Sequence, residues 1–92
     1  MKYPFIDAPN TAAIICSHIL EQGADILCVS HDEDDGMWQF LCGKFHEMND
    51  AKVVSLGEVF ALDNTIAQIA NMSCGYIAIR KDAISKWEIK ER

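Results

Sequence analysis

Ninety-two residues suffice for one domain with one core, residues 1–92, and exclude two. Half of them are hydrophobic and 24% charged. That balance excludes a disordered tail, and two prolines with five glycines exclude collagen-like and low-complexity chains. The net charge of -6 is uneven, with seven acids and two bases in residues 1–46 against seven and six in 47–92, so the first half repels nucleic acid and favours a basic protein partner.

Pro9-Asn10-Thr11 opens the first regular element. Ala12, Ile15, Cys16, Ile19 and Leu20 recur at helical spacing and predict an N-terminal helix with Ser17, His18, Glu21 and Gln22 on its polar side. Gly23 is placed to end it as a left-handed C′ residue. Asp25 to His31 alternates as a strand with two largely apolar faces, which predicts a central position. Asp35-Gly36 is a hairpin turn signal, and Met37 to Cys42 is the return strand, with Trp38, Phe40 and Cys42 on one pleat. Gly43 to Ala51 is loop-like, and Lys52-Val53-Val54 is a short strand. Ser55 and Glu58 fit a capping box that starts a short helix with Leu56, Val59 and Phe60 inward. Asp63 and Asn64 break it and start a second one over Thr65 to Asn71. Tyr76 to Lys81 is a strand, Asp82-Ala83 a turn, and Trp87 to Lys90 an edge strand with its charges outward. The expected fold is α+β: a mostly antiparallel sheet of four to five strands, with an N-terminal helix and two short helices packed on one face.

The chemistry-bearing residues fall into two groups. Cys16-x-His18, Cys28-x-x-His31 and Cys42-x-x-x-His46 resemble zinc-ligand pairs. These cysteines stand among Ile, Leu and Val rather than on Gly-rich knuckles, however, and Cys28 and His31 point to opposite pleats. Buried thiols are the favoured reading, with His18 and His46 in solvent; no metal and no cofactor are expected, and no Cys–His nucleophile is defined. Asp32-Glu33-Asp34-Asp35-Gly36 is the densest charge. It fails as a calcium loop, because Gly36 stands at position five and Gly43 at position twelve. What is left is a solvated hairpin tip or a protein-binding epitope, in which clustered acids are relieved by a basic partner. Trp38 reads as core; for Trp87, core and contact roles both stay open. No phosphate-cradling Gly loop and no serine nucleophile elbow occur, so a small hydrolase has no constellation to rest on.

The run from Cys28 to Gly43, with Val54 to Asp63 and Gly75-Tyr76 ahead of a strand ending in Arg80, resembles a family of small bacterial proteins of unknown function grouped with the predicted immunity proteins of polymorphic toxin systems. The likeness spans Cys16 to Trp87 and is carried by Asp35, Gly36, Trp38, Phe40, Gly43, Gly57, Gly75, Tyr76 and Trp87; Ser73-Cys74 stand where other members often carry a proline. It implies a non-catalytic α+β protein that holds a cognate toxin domain inactive. The expected contact residues are Asp32, Glu33, Asp34 and Asp35, with Met37 or Trp87 as apolar contacts. Replacing all four acids is expected to spare the fold and weaken binding, most at low salt. The alternative is a small ligand- or metal-binding regulatory domain. The N-terminus has no apolar run before Asp7 and Pro9, and no stretch is long enough for a membrane span. A cytoplasmic protein without membrane or nucleic-acid partners is therefore expected. The segment Arg80 to Arg92, with five bases and three acids, and the edge strand offer a route to a homodimer.

Overall fold

The structure, a computed structural model, describes residues 2–43 and 51–91. Most of the expected Gly43–Ala51 loop, His46 included, lies outside the described residues. The chain runs β1 (Ala12–Cys16), α1 (Ser17–Gln22), β2 (Cys28–His31), β3 (Trp38–Leu41), β4 (Ala51–Ser55), α2 (Leu56–Leu62), a 3-10 helix (Asn64–Ile69), β5 (Tyr76–Ile79) and β6 (Glu88–Glu91). The strands form one six-stranded sheet in the order β4-β1-β3-β2-β5-β6. β1 and β3 are parallel, and the other four pairings are antiparallel. The α+β class stands; the sheet is mixed and has six strands where four to five were expected.

The sixth strand is the segment read as the start of a helix. Ala12–Cys16 is extended, and only Ser17–Gln22 is helical. Five residues of Ala-Ala-Ile-Ile-Cys satisfy either period. What decides is pairing on both sides, with β4 from Ala12↔Ser55 to Cys16↔Ala51 and with β3 at Ile15↔Phe40. Burial then alternates, with Ala13 and Ile15 fully inside. The later helix start exchanges two of the expected positions: Ser17 is buried and Leu20 exposed, while Ile19 is inside and Glu21 and Gln22 are outside as expected. Gly23 does end the helix, at φ 71°, its N–H bonded to the His18 carbonyl.

Cross-strand register fixes the core. Ile15, Phe40, Val29 and Ala78 form one row across four strands, and all are fully buried. Ile19, Leu56, Val59, Ile66 and Ile69 from the helical elements join the same cluster, so the helices cover one face of the sheet. Each such side chain contributes roughly 1.5–3 kcal/mol on burial. The capping box forms as expected: Ser55 Oγ accepts from the Glu58 amide at 3.2 Å, and Glu58 Oε1 accepts from the Ser55 amide at 3.2 Å. Beside it, the Gly57 N–H bonds the Pro9 carbonyl at 2.9 Å. A Cβ at Gly57 would stand 3.2 Å from that oxygen, so the close approach of the N-terminal segment favours glycine there.

β2 is central and β6 is an edge strand with all four residues exposed, both as expected. The second short helix, expected over Thr65 to Asn71, is a 3-10 helix over Asn64–Ile69, started by Asp63, whose Oδ1 accepts from the Thr65 amide at 3.0 Å. Among the described residues no helix is long and apolar enough to cross a membrane.

Candidate functional site

The β2–β3 hairpin carries the acids. The Asp32 amide donates to the Met37 carbonyl at 2.8 Å and the Gly36 amide to the Asp32 carbonyl at 3.0 Å. Gly36 closes the turn at φ 71°, a conformation costly for a residue with a Cβ. Within this turn the four acids are not equivalent. Asp32 is half-buried; its Oδ1 accepts from Ser30 Oγ at 3.0 Å and its Oδ2 from Gln39 Nε2 at 2.6 Å. Ser30 and Gln39 are direct cross-strand partners, so Asp32 clamps the two strands where they enter the turn. Asp32 thus differs from the other three acids in being tied to both strands, so its replacement reaches further into the hairpin than theirs. Asp35 Oδ1 accepts from the Met37 amide at 2.9 Å, a bond an asparagine also makes. Glu33, Asp34 and Asp35 are exposed.

Gly75 faces this turn. Its amide donates to the His31 carbonyl at 2.7 Å, and a Cβ there would lie 3.6 Å from Glu33 Oε2. Asp32, Glu33, Asp34, Asp35, Gln39 and Gly75 line an open cleft of about 370 Å³. Met37 is half-buried at the rim of the turn. Trp87 is not brought here. It precedes Glu88, which pairs with Ile79, and Ile79 pairs with Cys28 at the opposite end of β2. Trp87 is half-buried against the core, with the Arg80 guanidinium 4.2 Å above its ring. Trp38 is core, as expected.

Of the pairs suggested by spacing, Cys16 and His18 do come together, whereas Cys28 and His31 do not. Cys28 and His31 lie on opposite faces of β2, as expected, and the four cysteines carry no disulfide. His31 stacks on Trp38, with ring centroids 3.8 Å apart. Its Nδ1 is 2.8 Å from the Met72 carbonyl and so carries the proton; its Nε2 lies 3.5 Å from the exposed Cys74 Sγ. That contact joins residues 43 positions apart, which no local pattern reveals. The second group is Cys16, His18 and Cys42, whose sulfur and nitrogen atoms all lie within 4.8 Å of one another. His18 Nδ1 is 3.5 Å from Cys42 Sγ, so His18 is half-buried in a polar contact rather than in open solvent. Cys16 and Cys42 are buried, and burial pushes the Cys16 thiol above its ordinary value of 9.0.

Arg80, read from sequence only as a strand end, is buried and donates from all three guanidinium nitrogens. Its Nε donates to the Ile26 carbonyl, Nη1 to Thr65 Oγ1 and the Ala83 carbonyl, and Nη2 to Asp63 Oδ2. A basic residue ending an apolar strand, with an acid 17 positions earlier, was the available signal. Comparison with protein-family models, with curated proteins and with solved structures finds no match to this chain.

Proposed function

We propose that this chain is a non-catalytic, cytoplasmic binding protein that neutralises a basic partner, in the manner of an immunity protein against a cognate toxin domain. The observation that carries this reading is the presentation of Glu33, Asp34 and Asp35 side by side on one hydrogen-bonded turn, bordering an open cleft. Three carboxylates carried on one turn enter a basic cleft as phosphates would, and their field speeds the encounter. Preorganisation matters as much as charge. The Asp32 clamp and the Asp35–Met37 bond hold the turn in one shape, so less ordering entropy is lost on docking. Met37 is the nearest apolar contact to the acids in the chain, whereas Trp87 is placed to serve the core.

The test is co-expression with the product of the adjacent reading frame, followed by growth rescue and pull-down. The informative variant combines Glu33→Gln, Asp34→Asn and Asp35→Asn and keeps Asp32, so that the clamp survives. The parent chain is expected to rescue growth. The variant is expected to keep its circular dichroism spectrum and to bind about tenfold more weakly or worse at low salt, with the gap closing as salt rises. Rescue that is absent in the parent, or equal in parent and variant, overturns the reading.

A further inference from the structure

We propose that Cys16, His18 and Cys42 form a binding site for a thiophilic divalent metal ion of the zinc class. The topology brings them together. β1 and β3 run parallel with Ile15 beside Phe40, so the two strands emerge at the same end of the sheet. Cys16 is the last residue of β1, and Cys42 follows the last residue of β3. α1 starts directly at Ser17 and brings His18 round in its first turn. Three donors from three elements thereby converge at the end of β3 opposite the acidic turn, separate from the surface proposed for the partner.

The chemistry of the set fits. Two sulfurs and one imidazole nitrogen are ligands that Zn²⁺ accepts together. With zinc–sulfur bonds of about 2.3 Å and zinc–nitrogen bonds of about 2.0–2.1 Å, a tetrahedral site has N···S edges of about 3.6 Å and S···S edges of about 3.8 Å. The His18 Nδ1···Cys42 Sγ separation is 3.5 Å, and all three donor atoms lie within 4.8 Å of one another. Two thiolates and a neutral imidazole around a dication sum to zero charge, which suits a place where both cysteines are buried. Binding is written Zn²⁺ + two Cys–SH + His → Zn(S⁻)₂(N) + 2 H⁺, so two protons leave per ion. The three donors fill three of four tetrahedral positions.

The experiment uses the full chain, expressed and purified without chelator, with metal content measured directly and then cobalt(II) titrated into reduced, metal-stripped protein. One ion per chain, a thiolate-to-cobalt charge-transfer band and proton release on binding are expected. His18→Gln and Cys16→Ser are expected to weaken binding about tenfold or more, while Cys28→Ser and Cys74→Ser leave it unchanged. Because Cys16→Ser alters a buried position, the parent's own cobalt spectrum and proton release stand as a measurement that needs no variant. Failure of the reduced parent to take up cobalt or zinc overturns the site. So does a spectrum without thiolate charge transfer, a Cys16–Cys42 disulfide that persists under reductant in place of metal, or binding unaffected by His18→Gln.

Discussion

Replacing Arg80 with Met tests the reasoning about what locks the helical layer to the sheet. The Arg80 side chain is 1% exposed and that of Asp63 22%, with Nη2 and Oδ2 2.9 Å apart. The guanidinium also serves the Ile26 and Ala83 carbonyls and the Thr65 hydroxyl, at 2.8, 3.2 and 3.0 Å. It thus ties the end of β5 to the segment before β2, to the 3-10 helix and to the turn before β6. Methionine keeps much of the apolar stem and removes every donor, leaving a carboxylate and two carbonyls without their partner. Breaking a buried pair from one side costs about 3–5 kcal/mol. A 92-residue domain has roughly 5–14 kcal/mol of total stability, so at least about a fifth of it is at stake. At about 4–8 °C per kcal/mol, Tm is expected to fall by roughly 12–40 °C. Urea unfolding of the parent, Arg80→Met, Asp63→Asn and the double variant gives the coupling between the two side chains directly. Asparagine retains an acceptor for the Thr65 amide, so the cap of the 3-10 helix is left in place. A loss below about 1 kcal/mol in Arg80→Met, with an unchanged denaturant slope, would refute the argument that this network holds the layers together.

Other perturbations follow from single contacts. Trp87 Nε1 is buried without a hydrogen-bond partner among the described residues, so Trp87→Phe is expected to lose only the larger ring's packing and part of its contact with Arg80, about 1–2 kcal/mol in urea; a loss above about 4 kcal/mol would contradict this. Ser55→Ala removes the acceptor of the Glu58 amide and is expected to cost about 1 kcal/mol by the same measurement, a cost that vanishes if the capping box is idle. Asp82 is held below its ordinary value of 3.8, first by a hydrogen bond from the Ser85 hydroxyl and then by the Ile84 amide. Because the folded value is the depressed one, its contribution is complete above the unfolded value and is lost as pH falls through the folded one. An NMR titration should place its midpoint below 3.8 in the parent and higher in Ser85→Ala, and equal midpoints would contradict the assignment.

Local chemistry determined much of this protein. The Asp35-Gly36 turn, the two strands it joins, the Ser55–Glu58 capping box and the glycine that ends α1 were all legible. Each depends on side chains within a few residues of one another, whose geometry needs no other part of the chain. The acids of the candidate site were legible for the same reason, as neighbours on one turn. What the sequence left ambiguous is what pairing at a distance decides. Ala12–Cys16 carries a helical and a strand period at once, and only the two strands flanking it select the extended form. That choice adds the sixth strand and puts the ends of β1 and β3 side by side, which is why Cys42 joins the Cys16-x-His18 pair although its spacing suggested His46. The structural role of Asp32 depends in the same way on Ser30 and Gln39 facing each other across the hairpin, and that of Arg80 on an acid brought up from another element. A periodicity reports which way a side chain points along its own segment, whereas tertiary packing alone determines what it meets there.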